Sequence, residues 1–182
     1  MDKYDYEKFL SQLELPFLES NQIYLHQIFE TLEQEFGLKK NSHQIFVDLG
    51  AGNGQVTIFS ALNYGLKSFG IEINLTLVEE AKRSIKLLKK LEKNKKKLLR
   101  KIKIICGDFY EQNLRNYDFI YIYSLPTMQK YLRHIFQTAK NGATIISHMY
   151  PFKDFKECLD LKLKLEHEGK NQDVATYFYK KI

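Results

Sequence analysis

Cysteine is scarce: Cys106 and Cys158 are the only two in 182 residues, too few for a disulfide framework or a four-ligand zinc site. Cys106 lies in an apolar run and is expected to pack as a small hydrophobe. Three prolines (Pro16, Pro126, Pro151) and the lack of any Pro/Gly-rich or low-complexity stretch leave no linker to divide the chain. No apolar run approaches the roughly 18 residues of a membrane span. The first twenty residues are acidic and interrupted, unlike a signal or transit peptide. Disorder is excluded by a hydrophobic content of 44% and an aromatic content of 14%. A soluble, cytoplasmic, globular protein of about one domain is expected.

The net charge of +6 is unevenly distributed. Residues 82–103 hold twelve Lys or Arg against one acid, Glu92, a local charge of +11. The rest of the chain carries 16 cations and 21 acids, a net −5. Such a segment is either the solvated face of a long helix or a landing strip for nucleic acid, an anionic membrane or an acidic partner. It contains no aromatic residue on which bases of a single strand would stack.

Apolar spacing alternates strand and helix. Strands are predicted at residues 44–49, 68–73, 102–106, 117–124 and 143–148, and helices at 55–64, 75–99 and 128–140. The tail alternates with period two over 161–165, turns at 168–171 and resumes at 174–179, an antiparallel hairpin. Seven strands with intervening helices imply an α/β fold. Its sheet is mostly parallel, with helices on both faces and an antiparallel hairpin at the C-terminal edge. A helical run at residues 23–36 precedes the first strand, and residues 1–43 are read as an N-terminal extension or lid on a domain of residues 44–182. Ligands of such sheets bind beyond the carboxyl ends of the strands. The polar and glycine residues of this chain collect there.

Asp48-Leu49-Gly50-Ala51-Gly52-Asn53-Gly54 sets three alternating glycines between a strand and a helix. Glycines permit the tight turn and let a ligand approach bare backbone. The spacing is neither the dinucleotide GxGxxG nor a Walker loop. It resembles motif I of the class I methyltransferases that use S-adenosylmethionine (SAM). Two further signals are in register with it. Glu72, followed by Ile73, ends the second strand, where a carboxylate accepts both hydroxyls of a ribose. Asp108-Phe109 follows the third strand, where an acid accepts from an adenine amino group and a ring covers its face. The cofactor-binding set is therefore Asp48, Gly50, Ala51, Gly52, Asn53, Gly54, Glu72, Ile73, Asp108 and Phe109. Asp48 is expected to hold the turn and, directly or through water, the ammonium of SAM.

After the fourth strand comes Tyr123-Ser124-Leu125-Pro126-Thr127-Met128, without the aromatic stacker of amino-adenine methyltransferases and without a cysteine for cytosine C5 attack. Together with motif I and Tyr150-Pro151-Phe152-Lys153-Asp154-Phe155, it resembles the small seven-strand protein-lysine methyltransferases. That group includes the archaeal broad-specificity enzyme and the mitochondrial enzymes acting on the ATP synthase c-subunit and the adenine nucleotide carrier. The resemblance implies a Rossmann-like class I methyltransferase fold, SAM as cofactor and a protein lysine side chain as substrate. It also implies catalytic roles for Tyr123, Ser124, Pro126 and Tyr150, and a cofactor contact from Pro16-Phe17. Phe17, Glu19 and Phe155 depart from the family's usual tyrosine, proline and tryptophan.

A lysine near pKa 10.4 needs about 4–5 kcal/mol to present a neutral amine at pH 7. A narrow aromatic channel beside a sulfonium supplies this by desolvation and like-charge repulsion. Tyr121, Tyr123, Tyr150, Phe152 and Phe155 either line such a channel, with Ser124 or a tyrosine hydroxyl orienting the amine, or pack in the core, an alternative that holds for Tyr121 and Phe152 in particular. His148 either takes a proton or hydrogen-bonds the sheet edge. Two other readings are an RNA methyltransferase gripping its substrate through the basic segment, and a SAM-binding protein without turnover.

Overall fold

A computed structural model describes residues 21–123, 125–167 and 174–182. Helix α1 (Asn21–Glu35) precedes β1 (Ile45–Leu49), α2 (Gln55–Tyr64), β2 (Lys67–Glu72) and α3 (Leu75–Leu91). A 3₁₀ turn (Lys93–Lys95) and the short α4 (Lys96–Leu99) lead into β3 (Ile102–Cys106). A second 3₁₀ turn (Phe109–Glu111) precedes β4 (Phe119–Tyr123), α5 (Pro126–Gln129), α6 (Arg133–Gln137), β5 (Thr144–His148), β6 (Leu159–His167) and β7 (Val174–Lys181).

One seven-stranded sheet runs in the order β3-β2-β1-β4-β5-β7-β6. The first five strands are parallel, and β7 lies antiparallel between β5 and β6. The chain steps outward from β1 to β3, then returns to place β4 on the other side of β1. The carboxyl ends of β1 and β4 therefore form the switch point where such sheets open a ligand crevice.

Side-chain alternation along the strands divides the core in two. Val47, Leu49, Ile120, Ile122 and Ile145 face α6, where Ile135 and Phe136 are buried, and Leu132 just before it. Phe46, Phe119, Tyr121, Ile146 and Phe178 face the other way, onto α1 and α2. Helix α1 is part of that second core through Leu25, Ile28, Phe29 and Leu32.

Three predicted features differ in the structure. The helix expected over residues 75–99 stops at Leu91, because Glu92 leaves helical geometry at ψ 68° and a run of like-charged lysines follows. The helix expected over residues 128–140 is two short pieces. The amides of Tyr131 and Leu132 bond three residues back, to Met128 and Gln129, and this tight turn separates α5 from α6. Cys106 is exposed rather than packed, since β3 is the edge strand of the sheet.

Gly70, inside β2, allows a close approach. A Cβ there would sit 2.8 Å from Ala51 Cβ, 2.8 Å from Thr57 Oγ1 and 2.9 Å from Ile104 Cδ1. A single glycine in an apolar strand is the sequence signal for such a contact. Gly70→Ala is expected to cost about 1–3 kcal/mol in equilibrium urea unfolding. A cost below about 0.5 kcal/mol would show that the layers can part without strain.

Candidate active site

Gly50, Gly52 and Gly54 all have left-handed backbones, with φ of 79°, 54° and 81°. This repeated positive φ is why glycine recurs at alternate positions. The turn is stapled to the tip of β2. Gly50 and Ala51 both donate their amides to Ile71 O (2.9 and 3.0 Å), and Gly52 N donates to Glu72 Oε2 at 2.8 Å. Glu72 Oε1 accepts from Asn74 N at 2.8 Å. Each oxygen has spent one of its two lone-pair positions, so the carboxylate can still accept two hydroxyl donors. Asn74 caps α3, accepting from Thr76 N through its own side chain.

The tip of β3 is tied in as well, with Gly107 N donating to Glu72 O at 2.9 Å. Asp108 Oδ1 accepts from Tyr110 N at 2.8 Å and so caps the 3₁₀ turn that presents Phe109. The Phe109 ring edge lies 3.7 Å from where a Cβ on Gly50 would stand. Ile73, just past Glu72, is 53% exposed, an apolar surface at the same rim. Asn53 Oδ1 is buried without a hydrogen-bond partner among the described residues. A bare glycine turn, a carboxylate with spare acceptor positions, a ring, an exposed isoleucine and an orphaned acceptor fit a nucleoside with a cationic tail.

Asp48 does not hold the turn, as had been expected of it. The amides of the turn go to Glu72 and Ile71, while the Asp48 carboxyl lies almost wholly buried beneath. Burial, and secondarily the Glu72 carboxylate, raise it to about 8. With no cation beside it among the described residues, Asp48 is mostly protonated at neutral pH.

At the neighbouring tips of β4 and β5, Tyr123 pairs with His148 in register. The Tyr123 ring lies 5.7 Å from His148 and 6.3 Å from Tyr150. Ser147 donates to Tyr150 O at 2.6 Å and sets that tyrosine after the left-handed Met149. Tyr121 stacks 6.2 Å from His148 on the same face. Of the two readings of Phe152 and Phe155, core packing holds: both join the core on the opposite face, 5.1 and 5.9 Å from Phe136. Pro126 opens α5 at a first-turn position, where its missing N–H costs nothing. Ser124, Pro16 and Phe17 lie outside the described residues.

His148 hydrogen-bonds across the sheet. Its Nδ1 lies 2.8 Å from Thr176 Oγ1, which also meets His167 Nε2 at 2.9 Å. His167 Nδ1 in turn lies 2.6 Å from Gln27 Oε1 on α1. Burial, with His167 beside it, lowers His148 to about 4, so the ring is neutral. A neutral ring of this kind is a hydrogen-bonding strut and a weak base. Sequence reasoning missed Thr176, His167 and Gln27, which no local pattern marks. It also missed Gln129, buried on α5, which donates to Pro151 O at 3.0 Å and accepts from Lys153 N at 3.3 Å.

Residues 48–158 match a family described as the ANTKMT methyltransferase domain. A protein-lysine N-methyltransferase of Saccharolobus islandicus (strain REY15A) is 24% identical over 143 residues, which cover 78% of this chain and 81% of that protein. Among solved structures, an RNA methyltransferase from Salinibacter ruber in complex with S-adenosyl-L-homocysteine has a TM-score of 0.69 at 21% identity. The match covers 91% of this chain and 93% of that one. The SAM-bound magnesium protoporphyrin IX methyltransferase from Synechocystis PCC 6803 has a TM-score of 0.67 at 14% identity, covering 92% of this chain and 85% of that one. These structural likenesses establish the fold.

Proposed function

We propose that this chain, which belongs to the ANTKMT methyltransferase domain family, transfers methyl groups from SAM to the ε-amines of protein lysines. The observation that carries the reading is the Glu72 carboxylate, which fixes the Gly52 and Asn74 amides and keeps acceptor positions spare at the rim of a bare glycine turn. Bound SAM supplies an electrophilic methyl group on a sulfonium, with a ribose and an ammonium to be held. Glu72 would hold the ribose hydroxyls, Asp108 and Phe109 the adenine, and Asp48 the cationic tail.

The amine must arrive neutral and aligned with the methyl group. Tyr123 and Tyr150 flank the approach with rings, which favour the neutral amine by removing water from it. Their hydroxyls can accept from the amine and fix its direction, a positioning role that needs no strong base. His148, held by Thr176, backs Tyr123 and keeps its ring in place. The lysine N-methyltransferase of Saccharolobus islandicus supports this substrate class.

A second reading, methylation of RNA, draws on the cations of residues 82–103. Incubation with labelled SAM and a whole-cell lysate, with and without RNase, tests both. Label on protein bands that survives RNase and maps to lysine is the expected result. Label lost with RNase favours the second reading, and no label on either polymer overturns the transfer reading.

A further inference from the structure

The cations of residues 82–103 are largely uncompensated in the folded chain. Of the twelve, Lys82 pairs with Glu79 and Lys95 with Glu92, while Lys101 donates to Gly65 O at 2.5 Å. The other nine, from Arg83 to Lys103, have no carboxylate partner within 4.0 Å among the described residues. Gathering that much like charge in one stretch of chain is unfavourable unless an anionic surface offsets it.

Two leucines stand among these cations. Helix α3 buries Val78, Ala81 and Ile85 against the sheet, yet Leu87 and Leu91 are 56% and 69% exposed. Four residues apart, they are neighbours on one face of the helix. Lys86 and Lys90 adjoin them in sequence. A basic groove lined in part by His43, Lys67, Arg100 and Lys103 extends the positive surface to the amino ends of β2 and β3.

We propose that the C-terminal half of α3, with the Lys93–Lys95 turn and α4, docks on an anionic phospholipid bilayer, the cations on phosphate headgroups and Leu87 and Leu91 at the acyl boundary. Cations beside exposed leucines are the pattern of a helix lying in a membrane interface. No helix among the described residues is long and apolar enough to cross a membrane, so the contact is peripheral. Nucleic acid would match the charge but offers Leu87 and Leu91 nothing, and no aromatic lies between Leu75 and Lys103 for bases to stack on. The α3 N-terminus adjoins Glu72, and its 17 residues carry the basic end about 25 Å away, toward the amino end of the sheet. A bilayer there leaves the SAM crevice facing outward.

The chain has no tryptophan, so Leu87→Trp gives a single fluorescent reporter at an exposed site. The full chain is mixed with vesicles of phosphatidylcholine alone, vesicles of phosphatidylcholine and phosphatidylglycerol, or a single-stranded RNA. Flotation and Trp emission are read at about 0.1 M and about 0.5 M salt. The expected result is binding to the anionic vesicles only, with a blue shift, released at high salt. Leu87→Ser/Leu91→Ser should weaken that binding at least about tenfold with an unchanged melting temperature. Absence of binding to anionic vesicles at low salt overturns the proposal. So does binding without a blue shift, equal binding by the double serine variant, or a preference for RNA.

Discussion

Glu72→Ala is expected to lose SAM binding by at least about a hundredfold, read by calorimetric titration. The carboxylate holds the glycine turn through Gly52 N and the start of α3 through Asn74 N. Alanine leaves both amides without their acceptor, at about 1–3 kcal/mol each when water cannot replace it. The hydroxyl acceptors for the ribose go as well, and about 2.8 kcal/mol in total suffices for a hundredfold change in Kd. Glu72→Gln separates the two contributions. One amide oxygen can still bond Gly52 N, but the amide nitrogen cannot accept from Asn74 N, so a loss between that of alanine and none is expected. Affinity within threefold of the parent chain for Glu72→Ala would remove Glu72 from the cofactor site.

Asp48→Asn should move stability and binding in opposite directions. A carboxyl raised to about 8 stabilises the folded state most below its ordinary value near 4. That contribution is lost as pH climbs through 8, because the unfolded chain ionises freely while the buried group resists. Asparagine removes the dependence. Its melting temperature should exceed that of the parent by several degrees at pH 8, at about 2–4 °C per kcal/mol for a chain of this size, and by less at pH 5. SAM is cationic at both its sulfonium and its ammonium and favours the ionised Asp48. Parent affinity should therefore rise with pH between about 6 and 7.5, toward tenfold per unit, with uptake of SAM releasing a proton. Asp48→Asn should bind more weakly and with a flatter pH profile. Equal slopes in the two proteins would show that Asp48 does not face the cationic tail.

Much of the fold was legible because its signals are short in range. The β3 boundaries and the whole of α2 match their predicted residues, and the hairpin follows from the period-two tail. The glycine turn could be read for the same reason: three alternate residues with positive φ leave little choice but glycine. Local signals also misled. Apolar spacing carried the helix of residues 75–99 past the point where lysines crowd, and gave no sign of the tight turn between α5 and α6.

The aromatic set after β4 and β5 shows the limit most clearly. Tyr123, Tyr150, Phe152 and Phe155 are alike in type and close in sequence, but Tyr123 and Tyr150 meet while the two phenylalanines pack with Phe136 on the other face. Which way a ring turns after a strand depends on the loop, here on the left-handed Met149 and the clamp from Gln129 to Pro151.

The amino-acid order alone determined which segments are strand or helix, where the backbone must bend at Gly50, Gly52 and Gly54, and which acids follow the strands. Each of those rests on neighbours within a turn or a pleat. Tertiary structure decided what those groups do: Glu72 rather than Asp48 holds the turn, and His148 leans on Thr176, His167 and Gln27. Gln27 and His167 are 140 residues apart and meet only because α1 packs onto the sheet close to its antiparallel edge. Burial, which raises one carboxyl and holds one imidazole neutral, comes into being when those distant pieces exclude water together.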